Sequence, residues 1–248
     1  MKPRILICDI ETLPLEIYSW GTYDVTVGLN QIKGDWTLLS WSAKWFGEKP
    51  VFYQDVRDEK EIRNDKRIVK GIWKLLDEAD IVVWHYGSAF DHKKLNARFI
   101  LNGLKPPSPY KQIDTTKLST KHFGFTSNKL EYLADKINKK FKKSKHEKYQ
   151  GFELWKACLE GDQRAFKEME KYNRLDVLAL EELFKELRPW GTGVNLNAYE
   201  SGQVCDNCGS PNLTKYGFSY TNKKKWQRLK CADCGGSSRG KKAIGENE

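Results

Sequence analysis

Apolar positions along the chain fall into two rhythms. Ile5, Leu6, Ile7, Cys8 and Ile10 make a short run of the kind a buried strand carries, and it closes on two acids, Asp9 and Glu11. Residues 36–46 alternate and are rich in aromatic and β-branched side chains, which predicts a second strand. A turn at 47–50 and a third strand at 51–54 extend it into an antiparallel meander. The period then changes. Ile68, Ile72, Leu75 and Leu76 share one helical face, so 65–79 reads as an amphipathic helix. Ile81-Val82-Val83-Trp84 is another short buried strand, and Phe90, Leu95, Phe99 and Ile100 mark a helix that stops near Gly103. Short helices are predicted over 113–120 and 129–137. A long helix is predicted from near Gln163 to Leu187, just before Pro189. Strands followed by helices with a strand between them predict an α/β layer fold over residues 1–189. The stretch 13–35 reads as a loop, 190–202 as a linker and 203–248 as a separate small module.

Composition narrows the class. With 248 residues, 39% of them hydrophobic and nine tryptophans, the chain can bury a sizeable core and is not disordered. Lysine and arginine number 43 against 33 acids, a net charge of +10 that favours a polyanionic partner. A basic segment, including Lys142, Lys143 and Lys145, reads either as a solvated loop or as a track for a nucleic-acid backbone. The first apolar run is broken at once by acids and does not read as a signal peptide, and no run is long enough to cross a membrane. Cys8 and Cys158 lie in apolar surroundings and read as core. The other four cysteines form two C-x-x-C pairs, which points to metal and to a reducing, intracellular and cytoplasmic setting.

The acids at the first strand end carry the chemistry. Alternation puts Asp9 and Glu11 on one face. Two adjacent carboxylates repel unless hydrated or joined by a cation, and all-oxygen ligands suit Mg²⁺ or Mn²⁺. Two later segments bear on the choice. In Gly87-Ser88-Ala89-Phe90-Asp91 a strand turns through glycine into a helix starting near Asp91, which reads as a helix cap or as a third acid. In Tyr172-Asn173-Arg174-Leu175-Asp176 the tyrosine and the second acid lie one helical turn apart on one face.

Asp-Ile-Glu-Thr, Gly-x-x-Phe-Asp and Tyr-Asn-x-x-Asp, in this order over residues 4–188, resemble the three motifs of the DEDD 3′–5′ exonucleases. The tyrosine resembles that of the DEDDy branch, which includes proofreading exonucleases. The resemblance implies an RNase H-like mixed sheet flanked by helices. It also implies two divalent metals held by Asp9, Glu11 and Asp176, with Asp91 completing the acidic cluster directly or through water. Tyr172 would orient the attacking water. Relatives commonly carry asparagine where Tyr86 stands, and this departure bears on how the terminal nucleotide is held. Asp114 reads as a helix cap or a support for the metal site, and His85 as a strand-end residue.

Cys205, Cys208, Cys231 and Cys234 offer four thiolates for a structural Zn²⁺, with 22 residues between the two pairs. Lys224, Lys225, Trp226 and Arg228 lie between them, and aromatics interleaved with cations suit nucleic acid by stacking and phosphate contact; the alternatives are a small ribbon core kept soluble by its lysines and a ribbon that docks protein. The segment resembles zinc ribbons of transposases. The expectation is a metal-dependent 3′–5′ exonuclease acting on single-stranded 3′ ends, DNA favoured over RNA, aided by the ribbon and working alone or beside a polymerase or other replication protein. A structure-specific endonuclease and a non-catalytic nucleic-acid-binding adaptor are the alternatives.

Overall fold

Strand β1 (Ile5–Thr12) is the axis of the chain, and its alternation decides what lies on each side. Leu6, Cys8 and Ile10 face one apolar cluster and Ile7 faces the other, so the strand is covered on both faces while its odd positions carry Asp9 and Glu11 outward at the end. The computed structural model describes residues 2–142 and 149–245. After β1 comes a small hairpin of β2 (Glu16–Ile17) and β3 (Ile32–Gly34), then β4 (Leu38–Trp45) and β5 (Phe52–Asp55). Helix α1 (Lys66–Asp77), β6 (Ile81–Trp84), α2 (Asp91–Leu101), β7 (Lys111–Asp114), α3 (Thr115–His122) and α4 (Leu130–Ile137) follow. Helices α5 (Glu153–Leu159) and α6 (Gln163–Leu187) complete the body.

The sheet has the order β5-β4-β1-β6-β7. Strands β5, β4 and β1 pair antiparallel, and β6 and β7 continue parallel to β1. Helices α1 and α2 lay Ile68, Ile72, Leu76, Leu95 and Phe99 on one face. The other face is closed by Leu118 of α3, Leu133 of α4 and Val177, Leu180 and Phe184 of α6. This is a mixed α/β, RNase H-like architecture. Cys8 and Cys158 are fully buried in the first cluster, as core thiols would be. Among the described residues no helix is long and apolar enough to cross a membrane.

Several elements depart from the pattern-based reading, among them the β2–β3 hairpin, which lies in the stretch 13–35 read as a loop. Ile113, expected within a helix, lies in β7 opposite Val83, and the helix begins only at Thr115, where Asp114 accepts the Thr116 N–H at 3.0 Å. A four-residue strand running straight into a capped helix leaves too short a period-2 stretch to read. Helix α5 sits where no element was predicted. The stretch 190–202 packs down, with Leu196 4% and Asn197 3% exposed and Val194 and Tyr199 against the second cluster. Beyond it β8 (Leu213–Tyr220), β9 (Lys225–Cys231) and β10 (Ser237–Ala243) form an antiparallel sheet of order β10-β9-β8. That sheet and its knuckles are anchored to the body through Asn207, which donates to the Pro189 carbonyl at 3.2 Å, and through the Leu196 N–H to Asp206 O bond at 2.9 Å.

Lys44 of β4 and Glu181 of α6 form a buried ion pair at 2.6 Å, with side chains 5% and 7% exposed, and Glu181 also accepts the Gly47 N–H at 2.7 Å. Burial would raise the Glu181 carboxyl, but Lys44, the Gly47 N–H and Lys185 together more than reverse it and hold it below the usual range. Its stabilising contribution is therefore complete above the unfolded glutamate value of about 4.3 and is lost as pH falls through the lower folded value. Glu181→Gln leaves Lys44 without its counter-charge. The expected cost is about 3 kcal/mol, a fall in Tm of roughly 6–12 °C in thermal unfolding at neutral pH. A shift under about 2 °C would show that the pair carries no net stability.

Candidate active site

Carboxylate oxygens of Asp9, Glu11 and Asp176 all lie within 4.8 Å of one another. Strand β1 supplies the first two. Helix α6, lying across the strand on the face Ile7 shares with Val177 and Leu180, supplies the third. Asp176 is 2% exposed, and Tyr172, one turn earlier on the same helix, is hydrogen-bonded to it. Burial, and then the charges of Asp176, Glu11 and Asp9, push the Tyr172 phenol far above its ordinary value, so it keeps its proton. Three carboxylates at this separation repel one another strongly. Their all-oxygen donor set could hold a divalent cation, which would neutralise them.

Two side chains fix these acids that the sequence pattern did not single out as site residues. Asn173 donates from Nδ2 to Asp9 Oδ2 at 2.5 Å and is itself held by Ser40 Oγ at 3.3 Å. Trp155 of α5 donates from its indole N–H to Glu11 Oε2 at 3.0 Å and packs edge-on against Tyr172, ring centres 6.1 Å apart. Asn173 stood inside the third motif, where only its helical phase could have marked it. Trp155 had no local signal at all.

Asp91 stands apart from the three. It is 5% exposed at the start of α2, and its Oδ1 accepts the backbone N–H of Ile10, between Asp9 and Glu11, at 3.2 Å. Burial is the main cause that lifts its carboxyl to about 7, with the charge of Asp114 adding to it against N–H bonds from Asp91 itself and Ile10. Asp114 caps α3 and ties down the neighbouring loop. It accepts the Tyr86 N–H at 3.0 Å, the Ser88 N–H at 3.2 Å and the Ser88 hydroxyl at 2.7 Å. Gly87 has no room for a side chain, since a Cβ there would lie 2.3 Å from Trp84 Cγ. His85 sits between Thr115 Oγ1 at 2.8 Å and the Asn128 carbonyl at 2.9 Å, tying this loop to the start of α4. Between the loop, α4 and the three carboxylates opens a cleft of about 580 Å³.

The cysteines also converge. Sγ of Cys205 lies 3.7 Å from that of Cys234, and Cys208 Sγ lies 3.6 Å from Cys231 Sγ. All four are mutually within 4.8 Å. A thiolate tetrahedron with metal–sulfur bonds of about 2.3 Å has edges of about 3.8 Å, so the spacing fits a structural Zn²⁺. The two knuckles repeat one geometry: Gly209 N–H bonds Cys205 O and Gly235 N–H bonds Cys231 O, with both glycines in the left-handed region. Burial raises Cys208 and Cys234. At Cys231 burial also acts upward, but N–H bonds from Cys234 and Asp233 and the neighbouring thiols bring it down to about 7.

Of the ribbon residues expected to touch nucleic acid, Trp226 and Arg228 lie on one face of β9 and Lys225 on the other. Lys225 lies 3.8 Å over the Phe218 ring, while Trp226, its neighbour on β9, faces the other way with Arg239 4.5 Å above it. Arg228 covers Tyr216 at 4.8 Å, and Lys224 is exposed. Lys142 is exposed and donates to the Asp135 carbonyl at 2.7 Å, whereas Lys143 and Lys145 lie outside the described residues.

Comparison with known proteins agrees with this architecture. A solved family B DNA polymerase from the hyperthermophilic archaeon Pyrobaculum calidifontis is similar in fold, with a TM-score of 0.52 at 14% identity over 90% of this chain. The match spans 32% of that polymerase, so this chain corresponds to about a third of its length. No curated protein sequence gives a significant match. Residues 7–188, from within β1 to just past the end of α6, match the RNase_H superfamily, and the chain belongs to that superfamily.

Proposed function

We propose that the protein is a metal-dependent 3′–5′ exonuclease of the DEDDy type, hydrolysing phosphodiester bonds at single-stranded nucleic-acid 3′ ends. The observation that carries this reading is the meeting of Asp9, Glu11 and Asp176 with Tyr172 on the adjacent helical turn. Asp9, Glu11 and Asp176 would hold two divalent cations, Mg²⁺ or Mn²⁺. When bound, such cations activate water and offset charge on the leaving 3′-oxygen. Asn173 and Trp155 keep the first two carboxylates aimed, so that little reorganisation is needed when substrate arrives. A tyrosine phenol is too weak a base to remove a proton from water unaided. The Tyr172 hydroxyl serves to orient the attacking water. Asp91 holds the Ile10 amide and so fixes the strand between Asp9 and Glu11, and it completes the acidic set through water. The ribbon, carrying structural Zn²⁺ on its four cysteines, would steady the strand through Lys224, Lys225, Trp226 and Arg228. DNA is favoured over RNA on the likeness of the three motifs to proofreading exonucleases.

The test is degradation of a 5′-labelled single-stranded DNA with Mg²⁺ or Mn²⁺, beside a covalently closed circle of the same sequence. A ladder shrinking from the 3′ end, with the circle intact, is expected. Cleavage of the circle would make the protein an endonuclease. Inertness toward both, and toward RNA, would leave the binding adaptor.

A further inference from the structure

Tyr86 sits on the wall of the catalytic cleft in a conformation the chain adopts only under constraint. Its φ is +62°, the left-handed region that bulky side chains rarely enter, yet the residue is 60% exposed and adds little to the core. Strained residues of this kind cluster at ligand clamps and active sites. Here the constraint is visible on every side. Asp114 grips the amides of Tyr86 and Ser88, and Gly87 packs without space for a Cβ against Trp84. His85 ties the strand end to Asn128. The loop is thus fixed from three directions, and what it presents to the cleft is an aromatic face.

Tyr86 lines the same cleft as Asp9, Glu11 and Asp176, and Lys129 lines it too. Lys129 is the residue before α4 and is exposed, and the His85–Asn128 bond sets the distance between its segment and the tyrosine loop. One cleft therefore holds three different chemistries: a flat apolar ring, a cation and an acidic cluster fit for metal. A nucleotide offers a complement to each, with its base, its flanking phosphate and its scissile phosphate. Every base has a π-face, so stacking on an aromatic ring tolerates any sequence.

We propose that Tyr86 is the stacking platform for the substrate's terminal base and that Lys129 contacts the backbone phosphate beside it. This assignment rests on the exonuclease reading and adds the side chains that seat the end to be cut. It also explains why an aromatic residue is held where an exposed ring gains nothing for folding.

The test compares a DNA ending in an ordinary nucleotide with one ending in an abasic residue. The variants are Tyr86→Asn, which loses the ring but tolerates a positive φ, and Tyr86→Trp, which keeps an aromatic face. Tyr86→Asn is expected to raise KM for the ordinary end roughly ten- to a hundredfold, with kcat changed far less and KM for the abasic end unchanged. Tyr86→Trp should stay near wild type. Lys129→Gln should lower the salt dependence of binding by about one phosphate contact. Equal effects of Tyr86→Asn on both ends, or no effect on either, would overturn the platform. A terminal 2-aminopurine, its fluorescence read in EDTA, separates the two levels of the argument. Quenching by wild type and not by Tyr86→Asn supports the platform even if no cleavage occurs, in which case the exonuclease reading alone fails. Cleavage without such quenching fails the platform alone.

Discussion

Asp9→Asn is expected to lower the rate of phosphodiester hydrolysis by on the order of 10³-fold or more, because on the proposed assignment its carboxylate holds a metal that supplies several kcal/mol to the transition state. The substitution keeps the shape of the side chain and an oxygen to accept the Asn173 amide. It removes one of three charges that repel across less than 4.8 Å. Thermal stability measured without added metal should therefore hold or rise, since the like-charge repulsion of the folded state is partly relieved. The combination is diagnostic: activity lost and Tm kept marks a charge needed for chemistry and not for folding. The same pairing is expected for Asp176→Asn. An Asp9→Asn protein retaining more than about a tenth of wild-type rate would mean that the cleft is not where the reaction occurs. Time courses with Mg²⁺ and Mn²⁺, beside melting curves in EDTA, make the measurement.

On the proposed assignment, removing the ribbon's zinc should act on structure instead. Cys231→Ser is expected to abolish stoichiometric zinc binding and to open residues 203–245 to protease while the body around β1 stays folded. Apart from its cysteines, the module buries little beyond Val204, Leu229 and Ala243, while Tyr216, Phe218 and Tyr220 are exposed. An apolar core this small cannot offset the entropy of ordering about forty residues. Structural zinc sites supply roughly 10–16 kcal/mol in isolated fingers, which is why one lost thiolate is enough. Elemental analysis and limited proteolysis check this together. A Cys231→Ser protein that kept one zinc, or a metal-free protein whose C-terminal region resisted protease, would show that the sheet stands without the tetrahedron.

What could be read from the sequence depended on the reach of each signal. Asp9 and Glu11 were legible because a period of two is local to a strand. The cysteine pairs were legible because a metal fixes spacing. Helix α6 ended where Pro189 forbids continuation and began where Asp162 caps it, through a bond to the Arg164 N–H. By contrast, Trp155 reaches Glu11 across 144 positions, and no local rule marks a side chain whose only role is made by the tertiary fold. Asp91 was legible as an acid in the right segment, but not its bond to the Ile10 amide, since that depends on how α2 is set behind β1. Strand β7 was hidden because its four residues run straight into a capped helix and leave too short a period-two stretch to read.

Helix α6 has one more consequence. It carries Tyr172 and Asp176 at its middle, and Asn207 of the cysteine module is docked two residues past its end, on Pro189. Asp176 and Leu187 are separated by about 17 Å of helix at 1.5 Å per residue, and the rod between them is rigid. On the proposed assignment the cleft and the ribbon would then act as two jaws set on one rod. A strand long enough to bridge them is held at two points and gains avidity from the tether. Each nucleotide removed shortens that strand, until it no longer reaches both and is held at one point only. On that assignment catalysis would carry its own stopping length, with short remnants released once the two-point grip has ended.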